Sequence, residues 1–434
     1  MVRSLAERYP RLPSKTASSG KLYKQVKTKH RYETAVAAFI AELLSVVGSK
    51  RETDWIRVSL DKDDYKDRTV TFKQFQNVRQ AWTAEGLIET KKGYSGPRAF
   101  GNPGPNRGMM TRFKATEALL SLCAEHGITP GNVQEHFLLE YTMPKELVQL
   151  TSPSAETPTT ELTERLRSEV AELNGFIAGF DLQPPKIKHL GWVRLFHQYR
   201  EGFEWNKGGR LYSQPPIGNY QSADKETRLT MTINREPVAE IDISATNLTI
   251  FYALCGQQLE LGRDAYRDIL GPTDFDRELA KLFINVSFGM SGLLNRWSLP
   301  LKEAFEKAMR KKNLSPFVID PKGYPIRLVR QKVLERHPLL ERWGSEIGGR
   351  VLDWADLMFV ESQAIVSTML ILKREHGIPS LPVYDSLIVP VSKASRAADV
   401  LRGQFQKVTG RIAKLKTTPE SALNKAMMAE ALTL

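Results

Sequence analysis

The hydrophobic pattern divides the chain into two regions of different rhythm. In the first, ETAVAAFIAELLSVVG (33–48) places apolar residues at helical spacing and stops at Gly48, and WIRVSL (55–60) alternates as a half-buried strand does. TFKQFQNVRQAWTAEG (71–86) predicts a helix opened by Thr71 and closed by Gly86. LIETKKGY (87–94) and MMTRFKAT (109–116) read as strands on either side of a Gly/Pro-rich basic stretch, 93–108, and another helix begins near Thr116. In the second region, VAEIDIS is a strand ending on Asp242, followed by the helical NLTIFYAL. FDRELAKLFINVSFGMSG (275–292) is a helix without proline, and SLPVYDSLIVP (380–390) is a strand pair turning at Asp385. Between the regions, TSPSAETPTTE (151–161) and DLQPPKIK (181–188) have the composition of linkers on either side of a short helix. The expected division is therefore a basic flexible arm over 1–32, a module over 33–150, a linker with a connecting helix over 151–188, and a large unit over 189–434.

Composition narrows the class. Hydrophobic residues make up 41% of the 434 and charged residues 26%, ordinary values for a globular protein. Lys and Arg number 62 against 49 Asp and Glu, a net charge of +13 that suits a phosphate-rich partner. Cys123 and Cys255 stand far apart with no CxxC, and the seven histidines show no ligand spacing, which argues against a zinc knuckle or a disulfide framework. The reducing character of such cysteine usage and the lack of a secretory h-region lead to a cytoplasmic expectation, in a bacterial or phage-infected cell. No run of 18 apolar residues predicts a membrane span.

Three segments carry candidate chemistry. A carboxylate at the end of an apolar strand is costly unless a cation or a hydrogen-bond donor meets it, which singles out Asp242. Asp385 stands at a predicted hairpin tip. Taken alone, each acid reads first as a cap or turn residue. The helix between them puts Arg277, Lys281, Ile284 and Phe288 on one face, a line of two cations and an aromatic that can grip a triphosphate and stack on a base. Together, two acids on strands of one sheet could hold two divalent ions about 4 Å apart and assist phosphoryl transfer.

At these segments the chain resembles the family A polymerases, which include bacterial DNA polymerase I and the single-subunit phage RNA polymerases. EIDISATNL is similar to their motif A, RELAKLFINVSFGMSG to motif B and VYDSLIVP to motif C, in the right order and over roughly residues 190–420. GGRLYS (208–213) resembles the segment before motif A, and ESQAIVSTMLILKREHGIP (361–379) the helix before motif C. The resemblance implies an α+β right-hand polymerase, with an antiparallel palm sheet and helical fingers and thumb. It makes Asp242 and Asp385 the catalytic metal ligands, with the Ile243 carbonyl beside them, for two Mg²⁺ ions (or Mn²⁺). It gives Arg277 and Lys281 to the triphosphate, Phe288 to closure over the nucleotide, and Arg210, Glu361 and Gln363 to the primer–template. The chain departs from the pattern in four ways. Motif B is one residue short between Lys281 and Phe288, Tyr384 replaces a His, Phe288 replaces a Tyr, and Asn247 stands where DNA enzymes carry Glu and RNA enzymes Gly. Asn247 and Phe288 together incline the expectation toward dNTP over rNTP.

The first region resembles a winged helix-turn-helix. That likeness assigns DNA contacts to Lys73, Gln74, Asn77 and Arg79 on the recognition helix, and to Arg98 and Arg107 on the basic loop. The leading expectation is a compact, non-proofreading DNA polymerase of a phage, plasmid or other mobile element. The alternatives are a single-subunit RNA polymerase or primase, and a DNA-binding replication initiator with an inactive palm.

Overall fold

The computed structural model describes residues 2, 6, 22–47, 54–65, 70–93, 110–137, 143–152, 155–184, 189–216, 218–290, 292–315 and 318–419. Arg98 and Arg107, with the rest of the basic loop, lie outside them.

The described chain forms two compact units, residues 1–142 with 152–156, and 143–151 with 157–434. In the first, α1 (Leu22–Val46), β1 (Ile56–Arg57), α2 (Phe72–Ala84), β2 (Ile88–Lys91), β3 (Arg112–Ala115), α3 (Glu117–Ala124) and the short α4 (Val133–His136) follow in order. The three strands make an antiparallel sheet, β1–β3–β2. Helix α2 turns Phe75, Val78, Ala81 and Trp82 inward at 3- and 4-residue spacing, where Phe75 meets Phe39 of α1 and Phe113 of β3 edge-on. The periodicity predicted this helix and its start. Gln74 Oε1 accepts from both the Thr71 amide (2.9 Å) and the Thr71 hydroxyl (2.8 Å), closing the first turn. Helix α1 begins at Leu22, eleven residues before the apolar repeat, so it takes in the end of the expected basic arm.

The second unit begins earlier than linker composition suggests. Strand β4 (Val148–Leu150) pairs in parallel with β6 (Gly191–Phe196), which pairs antiparallel with β7 (Gly208–Gln214). Helix α5 (Glu161–Ile177) is no free connector, because Val170, Leu173 and Ile177 enter the main core. Even DLQ, read as linker, supplies β5 (Leu182–Gln183), the outer strand of the central sheet. Flanking polar and proline residues outweigh a two-residue strand in composition, whereas its backbone hydrogen bonds are decided by the neighbouring chain.

The central sheet runs β12–β13–β9–β8–β5, with β14 also on β9. Its members are β8 (Thr232–Ile233), β9 (Glu236–Ile243), β12 (Leu381–Val383), β13 (Ser386–Pro390) and β14 (Leu415–Thr418). The short α6 (Lys225–Arg228) precedes β8, and α7 (Thr246–Leu254) follows β9. Helices α8 (Asp274–Phe288), α9 (Leu299–Lys311) and α10 (Ile326–Arg336) come next, then a small hairpin, β10 (Glu346–Ile347) and β11 (Arg350–Val351). Helix α11 (Trp354–His376) and α12 (Ala394–Thr409) complete the unit. Helix α11 is long and apolar enough to cross a membrane, but 67% of that apolar window is buried inside the unit, as befits a central core helix. The fold class is α+β, as the sequence predicts.

An ion cluster ties α5 to α11: Glu172 accepts from Lys373 Nζ (2.6 Å) and from Arg374 Nη2 (2.6 Å). The Arg374 hydrogen bond leads the effects that hold the Glu172 carboxyl down at about 2. A depressed folded value stabilises above the unfolded carboxylate range, and that stability is lost as pH falls through about 2. Arg374 is 52% exposed, so solvent screening reduces the contribution to about 1 kcal/mol. Glu172→Gln is expected to cost that amount in urea unfolding at pH 7, with the difference from the parent narrowing as pH falls below about 4. An unchanged difference at low pH would contradict the assignment.

Candidate active site

The floor of the site is the β9–β13 pairing. Ser386 lies directly across from Asp242, and the Ile243 amide donates to the Asp385 carbonyl at 3.2 Å. The two acids separated by 142 intervening residues are thus neighbours at one end of the sheet. Val383 and Ser386 pair, leaving Tyr384 and Asp385 as a two-residue turn, with Tyr384 at φ 55°. The hairpin tip predicted for Asp385 is present. Ala245 at φ 50° is a second left-handed residue without glycine's freedom, and it caps α7 directly beside the carboxylates. Strained backbone of this kind concentrates where function requires a particular side-chain direction.

Each acid has an internal partner. Lys225 Nζ lies 2.5 Å from Asp242 Oδ2. The Thr246 hydroxyl lies 2.5 Å from Asp385 Oδ2 and 2.8 Å from the Ile243 carbonyl oxygen. Burial pushes the Asp242 carboxyl upward and the Lys225 ammonium pulls it back, while the Glu240 and Asp385 charges add to the upward push. One alternation earlier on β9, Glu240 is almost fully buried and held in a two-pronged pair with Arg228 (2.9 and 3.0 Å). Helix α6 therefore supplies a cation to both Glu240 and Asp242. Neither Lys225 nor Thr246 was anticipated from sequence: ADKETR is an ordinary polar turn, and only its return to β9 gives its lysine a carboxylate.

A cleft of about 1050 Å³ opens over this floor. Asp242, Ile243, Asn247, Arg277, Lys281, Arg210, Glu361 and Asp385 all line it, so eight of the ten site residues expected in this unit come together. Arg277 is held by Asp264 (3.0 and 2.9 Å) and by Glu278 (2.8 Å), with its guanidinium over the Tyr266 ring. Lys281 has no ion-pair partner among the described residues.

Phe288 does not join them. Its ring is 2% exposed and packs edge-on against Phe251 (5.6 Å) and Trp343 (4.9 Å), so it cannot close over a nucleotide. The stripe that faces the cleft is Arg277, Lys281 and Asn285, at four-residue steps. The long cations reach the cleft from its margin, while Ile284 and Phe288, offset toward the other side, turn into the core. Asn285, passed over in the sequence, lines the cleft, and Phe288 does not.

Two glycines place Arg210. A Cβ on Gly208 would meet the His197 ring at 2.5 Å, and one on Gly209 would meet Ser362 Oγ at 3.0 Å. Gly208 lets β7 close on His197 after β6 and Gly209 lets it press against α11, where Arg210 grips Glu361 at 2.7 Å through two nitrogens and lies over the Tyr384 ring. Burial raises the Glu361 carboxyl to about 7 against the pull of Arg210. Glu361 is thus a holder of Arg210 and not a free contact. Gln363 does not line the cleft: two residues on along α11 is about 200° of rotation, which carries it away from Glu361. In the first unit, Lys73 is exposed and Asn77 partly so, while Gln74 is engaged at the helix cap and Arg79 donates to Gln76 at 2.6 Å.

No family model matches the chain, and no curated protein matches it. Among solved structures it is similar to the POL domain of Pol1 from M. smegmatis, in complex with DNA primer-template and dNTP. Identity is 13%, 89% of this chain and 65% of that one are covered, and the TM-score is 0.31. The chain thus spans just under two thirds of that domain. At this TM-score the functional reading rests on the site itself.

Phe288→Ala is expected to destabilise the protein by about 3–5 kcal/mol in denaturant unfolding, the cost of emptying a packed aromatic site. A ring reserved for stacking on a ligand would leave stability unchanged.

Proposed function

We propose that the chain is a template-directed nucleotidyltransferase that extends the 3′ end of a nucleic-acid strand, with the central sheet as palm and α8–α10 as fingers. The observation that carries this reading is the pair of carboxylates at the end of β9 and on the turn into its neighbour β13, at the floor of a cleft walled by a cationic helix. A lone turn aspartate explains neither the pairing nor the cleft.

The donor set fits divalent ions of the Mg²⁺ kind. Asp242 and Asp385 offer hard carboxylate oxygens and Ile243 a carbonyl, and Mg²⁺ commonly takes one or two carboxylates while water and substrate phosphates fill its shell. When bound, two such ions supply charge neutralisation at the attacking and leaving oxygens. The protein's part is positioning. Thr246 orients the Asp385 carboxylate, and Lys225 compensates Asp242 until ligands arrive. Arg277 and Lys281 meet the triphosphate, Arg277 exchanging Asp264 for phosphate oxygens in the fork geometry that guanidinium favours. Arg210, braced by Glu361, lies against Tyr384 next to Asp385, where the end of the growing strand would stand. In the first unit, the exposed Lys73 with Asn77 and Arg79 on α2 would hold DNA.

Extension of a labelled primer–template with Mg²⁺ tests the reading. Asp242→Asn and Asp385→Asn should each lower the rate by at least about 10³-fold while leaving the fold intact by circular dichroism. Full activity in either variant would refute it. DNA synthesis is the favoured direction, and with Phe288 in the core that preference rests on Asn247, which lines the cleft. Asn247→Gly should raise the kcat/KM ratio of rNTP to dNTP about 10-fold or more. An unchanged ratio would remove Asn247 from sugar choice. A parent enzyme that prefers rNTPs would favour the RNA polymerase or primase reading.

A further inference from the structure

Most cations lining the cleft are already compensated. Lys225 is paired with Asp242, Arg210 with Glu361, and Arg277 with Asp264 and Glu278. The side chains of three lysines lining it, Lys281, Lys414 and Lys416, have no ion-pair or hydrogen-bond partner among the described residues. They stand on different elements. Lys281 belongs to α8, on the proposed triphosphate wall beside Arg277. Lys414 and Lys416 belong to the β14 side, and both are exposed.

Register places these two with respect to the chemistry. Lys416 is the cross-strand partner of Asp242, on the side of β9 opposite β13, and the Lys414 carbonyl accepts from the Ser244 amide at 2.8 Å. Residues two apart on a strand share a face and stand about 6.6 Å apart along it. Opposed residues of an antiparallel pair also share a face, so the lysine row lies on the same face of the sheet as Asp242. An uncompensated ammonium in a row of this kind suits a regular line of negative charge better than one compact anion.

We propose that Lys414 and Lys416 bind successive phosphates in the backbone of the strand being extended, so that β14 guides that strand to its 3′ end at Asp242. This rests on the nucleotidyltransferase reading and divides the positive charge of the cleft between two substrates. Helix α8 serves the incoming triphosphate, and β14 serves the polymer. The lysines are point charges without a planar fork, which fits contact with a backbone irrespective of sequence.

The test is the salt dependence of primer–template binding, read by fluorescence anisotropy on the full chain without nucleotide. Each lost phosphate contact lowers the log–log salt slope by about 0.9 on duplex DNA, so the double variant Lys414→Gln/Lys416→Gln should lose about 1.8. Its Kd at 0.1 M salt should weaken at least about 10-fold, while KM for the nucleotide at saturating primer–template stays within about twofold. The charge-keeping variant Lys414→Arg/Lys416→Arg should retain the parental slope, which separates loss of charge from loss of fold. Lys281→Gln should do the reverse, raising nucleotide KM and leaving the salt slope unchanged. An unaltered slope in the double glutamine variant overturns the proposal, as does a rise in its nucleotide KM with primer–template affinity intact. Binding needs no turnover, so a parent that binds primer–template with the expected lysine dependence but extends nothing would defeat the catalytic reading and leave the strand contact standing.

Discussion

Strand β9 lies inside the central sheet with hydrogen-bonded neighbours on both sides, and its register against β13 sets where both carboxylates stand. Ala239 and Ile241 are wholly buried on one face, while Glu240 and Asp242 point to the other. A slip of one residue would drive both acids into the apolar core and bring the apolar residues out, so the hydrophobic pattern holds the register firmly. The same pairing brings the Asp385 turn beside Asp242. The site is therefore a consequence of how the core packs.

The cost of this placement is electrostatic. Glu240, Asp242, Glu361 and Asp385 stand at the sheet's end or just behind it, and buried carboxylates need partners. The partners come from three parts of the chain: Arg228 and Lys225 from α6, Arg210 from β7, and Thr246 from the first turn of α7. Removing one partner from the buried Arg210–Glu361 pair would leave an uncompensated charge, which is far costlier than never having built the pair. The same arrangement makes ligand entry an exchange. In the proposed reaction Arg277 would leave Asp264 for phosphate and Asp242 would leave Lys225 for a cation, so that binding would trade one satisfied contact for another.

Within the cleft, the paired and unpaired cations differ in character. The guanidinium groups of Arg210 and Arg277 are held in forks and lie over Tyr384 and Tyr266, which fixes their direction. The free lysines of α8 and β14 are flexible point charges on opposite kinds of scaffold. Fixed groups suit contacts where geometry governs reaction, and mobile charges suit contacts where only charge is needed.

Local pattern was enough for the elements that carry the site. The apolar run ending at Asp242, the two-residue turn at Asp385 and the periodic helix with Arg277 and Lys281 were all legible, because each depends on neighbours within a few residues. The helix face was legible only to within about half a turn. Arg277, Lys281, Ile284 and Phe288 fall on one stripe by spacing, yet Phe251 and Trp343 decide that Phe288 faces the core and leave Asn285 in the cleft. Lys225, Thr246, Asp264, Lys414 and Lys416 carried no local signal, since a lysine in a polar turn or on an edge strand looks the same wherever it ends up. The sequence by itself determined which segments become strand, turn and helix, since hydrophobic period and turn chemistry act locally. Only the tertiary structure decided which charges meet, because cross-strand register and the return of distant loops are long-range events.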